Sequence, residues 1–162
     1  MIDRNIFSIN KMAYCRGERP KVDCILCEII NHSGKVEELE VYRNDLFMVC
    51  VNLFPYHSGH LLIAPLRHIV DVRDMTEAEQ TAVQTLLNRT LDILDSLYAP
   101  HGYNIGYNIG HASGASIPHI HMHIVPRYEN ELGFVDIISG SKLIVEDPVI
   151  TQKRLRGAFA AH

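Results

Sequence analysis

The sequence lacks any apolar run approaching the roughly 20 residues that a helix needs to span a bilayer. Residues 1–5 also lack the apolar core of a secretory signal, so we expect a cytoplasmic protein with no membrane partner. A strong charge of either sign is missing too, because the net charge is −4 and the pI is near 6.2. We therefore expect no nucleic-acid partner, and any phosphate group must be bound by local contacts.

Cysteine is scarce, with four residues in a chain of 162. In a reducing compartment the motif Cys24-x-x-Cys27 more often binds a metal or does redox chemistry than forms a disulfide. Because there is no second Cys-x-x-Cys, two histidines must complete a tetrahedral zinc site. The spacing alone leaves a metal site and a pair of free thiols as alternatives.

The length and the apolar fraction of 47% fit one domain with its own core. We assign residues 23–162 to this domain and 1–22 to an irregular extension, because charges, Gly17 and Pro20 follow no period there. The capping-box pattern of Thr76 and Glu79 opens one long helix that ends near Tyr98. Alternation and β-branched content predict strands at 40–42, 46–51, 61–64, 103–110 and 119–125, and a terminal helix is predicted at 149–159.

The last of these strands, residues 119–125, alternates histidine with apolar residues. Side chains two apart on a strand share a face, so His119, His121 and His123 lie together, with the rings roughly 6.5 to 7 Å apart. Leaving buried ring nitrogens unpaired costs about 1 to 3 kcal/mol each, which disfavours three ordinary half-buried histidines. The histidine face is therefore predicted to carry chemistry.

That chemistry fits attack on phosphorus by an imidazole nitrogen. A neutral histidine already has a lone pair at pH 7 and needs no base, unlike serine. The site must then stabilise the negative charge of the transferring group and supply a proton for the leaving group. Ser116, Asn108 and His123 are suitable donors, and the small-residue loop 111–118 lets backbone N–H groups approach a phosphate closely.

Taken together, these motifs resemble the histidine triad family, over roughly residues 24 to 145. The resemblance includes the triad, the Cys-x-x-Cys motif, Asn52 eight residues before His60, the segment 65–68, and Asn108 eleven residues before His119. It is strongest for the branch that contains diadenosine tetraphosphate phosphorylases and related dinucleoside polyphosphate hydrolases.

The resemblance implies an α+β fold, an antiparallel sheet of about five strands with the long helix on one face, and a homodimer. It implies a nucleotidyl hydrolase or transferase that cleaves a phosphoanhydride or phosphoramidate bond of a dinucleoside polyphosphate or related nucleotide. An adenosine nucleotide such as diadenosine tetraphosphate is the expected substrate. His121 would form a covalent nucleotidyl-histidine intermediate and His123 would hydrogen-bond the phosphate. Asn108 and Ser116 would contact the phosphate, and Asn52 would bind the ribose hydroxyls.

The resemblance also implies a structural zinc, because the ligand pattern of zinc-bearing relatives falls on Cys24, Cys27, His68 and His119. One departure is Ala115, where many members have glutamine, and it leaves open whether water or inorganic phosphate receives the nucleotidyl group. The third triad position is His123 and not glutamine, which argues against sugar-nucleotide transfer.

Two other functions are kept as alternatives. A nucleotide-binding module acting through protein interactions would bind nucleotide with little turnover. A metalloprotein could instead use His119, His121 and His123 on one catalytic zinc. His57 and His60 lie near the expected ribose loop, and neither is assigned a catalytic role.

Overall fold

The computed structural model of the protein describes residues 20–129 and 146–161. Within these ranges the fold consists of one sheet with helices on both of its faces. The predicted extension 1–22 lies outside the described residues except for 20–22, so the proposed boundary between extension and domain stays a prediction.

The sheet has five strands: β1 (Glu40–Arg43), β2 (Phe47–Val51), β3 (Leu61–Pro65), β4 (Gly102–Tyr107) and β5 (Met122–Arg127). Their spatial order is β1-β2-β3-β5-β4, and every neighbouring pair is antiparallel. Among residues 20–129 and 146–161, β1 and β4 are therefore the two edges. The predicted α+β class with a five-stranded antiparallel sheet is confirmed.

Helix α2 (Glu77–Tyr98) is the predicted long helix, and its capping box is formed as expected. The Thr76 hydroxyl accepts from the Glu79 N–H, and the Glu79 carboxylate accepts from the Thr76 N–H. The helix ends at Ala99, which has a left-handed φ of 44° just before Pro100. Helix α3 (Pro148–Ala161) agrees with the predicted terminal helix to within two residues.

The two faces of the sheet bury different sets of side chains. Phe47, Val49 and Ile63 pack beneath α2 and α3 in the larger core. On the opposite face, Met48 and Leu62 pack with a short helix, α1 (Ile25–Ile30). The alternation of β2 and β3 thus supplies two cores, which is why both strands are fully buried.

The triad strand begins later than its alternation predicts, at Met122 instead of His119. β5 pairs with β3 only as far as Met122 opposite Ile63. Beyond that point β3 ends at Pro65, which has no N–H to extend the ladder, and the Ile120 N–H donates instead to the Ile69 carbonyl at 2.7 Å.

None of the helices within residues 20–129 and 146–161 combines the length and apolar character needed to cross a membrane.

Candidate functional site

A cavity of about 850 Å³ opens between α1 and the sheet. One end is lined by apolar side chains of α1 and of the segments around β1 and β2, including Leu26, Ile29, Val36 and Leu53. The other end is lined by the residues that the sequence assigned to substrate and catalysis: Asn52, Asn108, Ser116, His121 and His123. The structure brings these five residues to one pocket, and their individual roles remain predictions.

The His121 ring is held by the backbone of its own strand. Its Nδ1 lies 2.7 Å from the His119 carbonyl oxygen, so Nδ1 carries the proton and donates it. The other nitrogen, Nε2, is then left with its lone pair. Burial lowers the pKa of His121 below its ordinary value, which keeps the ring neutral at pH 7.

A chain of hydrogen bonds fixes the protons of His60 and His123. The Tyr56 N–H donates to His60 Nδ1 at 3.1 Å, so the His60 proton must sit on Nε2. His60 Nε2 lies 3.0 Å from His123 Nδ1 and donates to it. His123 therefore carries its own proton on Nε2. Asn108 Nδ2 lies 3.5 Å from that nitrogen, so the Asn108 amide accepts this proton only with its oxygen turned toward the ring. Burial first, and the His121 ring second, lower the pKa of His123 to about 4.

His60 belongs to the candidate site, although the sequence analysis assigned it no role. It is completely buried at the start of β3, and both of its ring nitrogens are engaged. His60 directly precedes the buried apolar strand β3, and a buried histidine needs hydrogen-bond partners for its ring. This need was the feature of the sequence that could have pointed to His60 as part of the site. The partners themselves could not be read from the sequence, since His123 lies 63 residues away.

Asn52 is held in the same network. Its Oδ1 accepts from the Phe54 N–H at 3.0 Å, and its Nδ2 lies 3.4 Å from the His60 ring. The Asn52 backbone N–H donates to the His60 carbonyl, also at 3.0 Å. The predicted ribose ligand and the histidine network are therefore one connected unit.

The triad rings are closer together than the strand spacing predicts, since the centroids of His121 and His123 are 4.9 Å apart. The two rings tilt toward each other, with an interplanar angle of 60°. Alternation across the strand is retained: Ile120, Met122 and Ile124 lie in the core beneath the helices, away from the pocket.

A second cluster lies behind the pocket and consists of Cys24, Cys27, His68 and His119, whose ligand atoms all lie within 4.8 Å of one another. Cys27 Sγ is 3.2 Å from His68 Nδ1 and 3.5 Å from His119 Nδ1. Cys24 Sγ is also 3.5 Å from His119 Nδ1. An ideal tetrahedral zinc centre places sulfur and nitrogen ligands about 3.5 Å apart, so the residues fit this metal.

The orientation of His119 supports the same conclusion. Its Nε2 donates to the Pro65 carbonyl at 2.9 Å, which leaves the Nδ1 lone pair for a metal. Burial, followed by the neighbouring Cys24 thiol, raises the pKa of Cys27 to about 11. A cation between the two thiols would remove this cost of ionising them.

The fold and site thus define an α+β protein with clustered histidines at a deep, partly apolar pocket. The chain belongs to the HIT family, because the HIT domain model matches residues 33–130.

The AP-4-A phosphorylase of Mycobacterium tuberculosis is 36% identical over 109 residues, which cover 67% of this chain and 56% of the relative. The asymmetrical bis(5'-nucleosyl)-tetraphosphatase of Schizosaccharomyces pombe is 31% identical over 97 residues, 60% of this chain and 53% of the relative. The chain spans about half the length of these two curated relatives. Both names belong to the dinucleoside polyphosphate branch, which confirms that part of the predicted resemblance.

Among solved structures, a zinc-bound histidine triad family protein from Mycobacterium smegmatis superposes with a TM-score of 0.69 at 26% identity. The superposition covers 85% of this chain and 94% of that one. It confirms the predicted fold.

Proposed function

We propose that this protein transfers a nucleotidyl group from a dinucleoside polyphosphate by way of a covalent nucleotidyl-histidine at His121. The observation that carries the proposal is the bond between His121 Nδ1 and the His119 carbonyl, 2.7 Å long. It leaves the lone pair on Nε2 of a neutral ring in a pocket lined by candidate phosphate ligands.

In the first step His121 Nε2 attacks a phosphorus atom, a P–N bond forms and the P–O bond to the leaving nucleotide breaks. The His123 Nε2–H donates a hydrogen bond to the transferring group, whose equatorial oxygens carry the developing charge. Asn108 and Ser116 bind the same group. In the second step an oxygen of the acceptor attacks the same phosphorus, so that a new P–O bond forms, the P–N bond breaks and His121 leaves with its lone pair on Nε2. A proton carried by the acceptor passes to solvent.

The nucleoside end of the substrate fits the apolar part of the pocket. Leu26, Ile29 and Val36 supply an apolar wall for a base, and Asn52 lies at the boundary with the histidines, where a ribose would reach it. These contacts support a nucleoside of either base class, and the name of the M. tuberculosis relative supports adenosine among them.

The acceptor separates two forms of the activity. One relative is named a phosphorylase and the other a tetraphosphatase, so inorganic phosphate and water are both chemically represented among them. Ala115 is partly exposed beside the pocket loop, and its methyl group leaves room that a glutamine would occupy. Both acceptors fit this room, so the products formed with and without inorganic phosphate distinguish them.

We further propose a structural zinc held by Cys24, Cys27, His68 and His119. Bound there, zinc would tie α1 to the loop after β3 and to the start of the triad segment, and all four of its positions would be filled by protein. The support is the ligand geometry together with the orientation of His119 by Pro65.

A homodimer in the cytoplasm, with no nucleic-acid or membrane partner, completes the proposal. β4 is an edge strand, and Ile105 on it is 43% exposed, which supports a second copy of the chain as the partner. Light scattering coupled to size exclusion tests the dimer, with a monomer mass as the contrary result.

The proposed reaction is tested by incubating the protein with diadenosine tetraphosphate, with and without inorganic phosphate, and separating the products by chromatography. Phosphorolysis yields ADP and ATP only when phosphate is present, whereas hydrolysis yields AMP and ATP without it. Nucleotide that binds but gives no product would sink the enzyme proposal for this substrate and favour the binding-module alternative.

A further inference from the structure

Helix α3 lies beyond the residues that the HIT model matches and runs along the edge strand β1. Leu155 and Phe159 anchor it in the larger core, and the Phe159 ring stacks on Tyr42 of β1 with centroids 5.1 Å apart. The guanidinium of Arg89, on α2, lies 4.4 Å from the Tyr42 ring centroid and donates to the Phe159 carbonyl. The helix is thus firmly attached to the sheet.

Two polar side chains of α3 reach the backbone at the start of β1. Gln152 Nε2 donates to the carbonyls of Glu38, at 3.1 Å, and of Glu40, at 2.9 Å. Arg156 Nε donates to the same Glu40 carbonyl at 2.8 Å. On an edge strand these outward carbonyls would otherwise face water. The side chains of α3 supply the hydrogen-bond donors that a neighbouring strand would provide.

Leu39, between Glu38 and Glu40, directs its carbonyl toward β2 and not toward α3. The Leu39 carbonyl accepts from the Val51 N–H at 2.8 Å, on the β2 side. Residues 38–40, which we call the strap, are therefore held from both sides. Leu39, Val51 and Asn52 all line the pocket, so the strap connects α3 to the predicted ribose ligand.

A second connection leads from the strap to helix α1, which also lines the pocket. The Glu40 carboxylate accepts from Arg43 at 2.6 and 3.1 Å. Arg43 Nη1 in turn donates to the Ile30 carbonyl, at the end of α1, at 2.9 Å. Helix α1 supplies Leu26 and Ile29 to the apolar wall. The parts of β2 and α1 that line the pocket thus both depend on the position of the strap.

We propose that α3 sets the width of the nucleoside end of the pocket, with Gln152 as the positioning residue. Gln152 is the one described side chain of α3 that bonds two strap carbonyls at once. It acts mainly on nucleotide affinity, because its contacts lead directly to Leu39, Val51 and α1 and reach His123 only through Asn52 and His60. The identity of the ligand as a nucleotide rests on the proposed function.

The test compares Gln152→Met, which keeps the size of the side chain but removes its donor, with Gln152→Lys, which retains a donor. Lys153→Ala, an exposed change on the same helix, is the matched control. Three quantities are measured: hydrogen exchange at the Val51 amide, the Kd of AMP by calorimetry, and KM and kcat with diadenosine tetraphosphate.

For Gln152→Met we expect faster exchange at Val51. We expect the AMP Kd and KM each to rise about fivefold, because a more weakly held strap lowers the population of the binding-competent pocket. The expected kcat stays within about twofold of wild type, because uniform binding and not transition-state binding is lost. The exchange rate, Kd and KM of Gln152→Lys should lie between those of Gln152→Met and wild type. Lys153→Ala should match wild type in all of them.

Unchanged Val51 exchange and AMP affinity in Gln152→Met would overturn the proposal, as would a fall in kcat at unchanged KM. A lower melting temperature without a change in AMP affinity would show that the contact only stabilises the fold, which also overturns it. The exchange and AMP measurements need no turnover. Absence of product from the wild type therefore counts against the proposed reaction, while the role of Gln152 is decided separately.

Discussion

The His60 Nε2 atom lies 3.0 Å from His123 Nδ1, and the proton between them belongs to His60. This assignment follows from the backbone, because the Tyr56 N–H already occupies the other nitrogen of His60. A main-chain amide at the pocket rim thereby determines which nitrogen of His123 can donate to a substrate. The donor side of the proposed phosphate site is set by a residue outside the triad.

Replacing His60 with phenylalanine keeps a ring at this position but removes the donor. His123 can then place its proton on either nitrogen, so we expect kcat to fall about tenfold, the effect of losing one hydrogen bond to a reacting group. Steady-state kinetics with diadenosine tetraphosphate measure it, with the exposed His101→Phe as control. Activity at the wild-type level in His60→Phe would show that the proton order is not used.

His121→Ala separates the proposed nucleophile from the alternative of a catalytic zinc on all three triad histidines. The His121 Nδ1 bonds the His119 carbonyl and lies outside the four-residue metal cluster. We therefore expect product formation to fall by at least about a thousandfold while the metal content stays unchanged. Metal content is measured by mass spectrometry, and loss of the metal in this variant would favour the alternative.

The pH dependence of kcat/KM provides a third test. Only neutral His121 can attack phosphorus, and burial lowers its pKa below the ordinary value of 6.5. The attacking form therefore persists as the pH falls through 6.5, and we expect the acid limb of the profile to have its midpoint below that value. Dinucleoside polyphosphates suit this measurement because they carry no terminal phosphate that titrates in the range. A midpoint at or above pH 6.5 would contradict a buried neutral nucleophile.

Local patterns in the sequence predicted the elements that local physics controls. The capping box of α2 and the separation of the triad histidines from Ile120 and Ile124 need only the period of a helix or a strand. The beginning of the triad strand could not be predicted in this way. β5 begins only at Met122, because its antiparallel partner β3 ends at Pro65. The length of β5 therefore depends on Pro65, which lies more than 50 positions before His119 in the sequence.

The same distinction between local patterns and long-range contacts applies to the candidate site. Spacing made Cys24 and Cys27 a candidate half of a metal site and left free thiols as the alternative. The two candidate histidine ligands lie 41 and 92 residues from Cys27 and came only from the family resemblance. The pairing of His60 with His123 is also a product of the sheet, since it needs β3 beside β5. No periodicity along the chain encodes such contacts.

Removal of the metal should release α1. This helix has only six residues, too few to be stable alone in water. Its N-cap is Cys24, whose side chain accepts from the Cys27 N–H. In the metal-loaded protein we expect Cys27→Ser to lose the metal and to lower Tm by about 10 °C or more. Differential scanning calorimetry measures the change.

Cys50→Ala is the control, because Cys50 is buried in β2 and lies outside the metal cluster. It should keep the metal at the wild-type level. A Cys27→Ser protein with unchanged metal content would refute the proposed ligand set.

Glu79 connects the cap of α2 to the metal cluster. Its carboxylate accepts from Arg67 at 2.8 and 3.2 Å, and Arg67 is the residue before His68. Hydrogen bonding by Arg67, followed by the Thr76 backbone N–H, lowers the pKa of Glu79 to about 2. Because the folded-state pKa is lowered, the stability that this carboxylate contributes is present above its ordinary pKa of 4.5. That stability is lost as the pH falls from there toward 2.

We therefore expect Glu79→Gln to lower the free energy of unfolding by about 2 kcal/mol at pH 7, as for loss of hydrogen bonds to a charged group. The difference from wild type should shrink as the pH is lowered to 3, because the Glu79 carboxylate of the unfolded chain, with its ordinary pKa of 4.5, is then largely protonated while the folded one is still mostly ionised. Urea unfolding at the two pH values measures both numbers. Glu77→Gln, an exposed change in the same helical turn, should differ little from wild type at either pH. A Glu79→Gln defect that does not depend on pH would mean that side-chain packing, and not the charge on the carboxylate, holds Arg67 and the loop carrying His68.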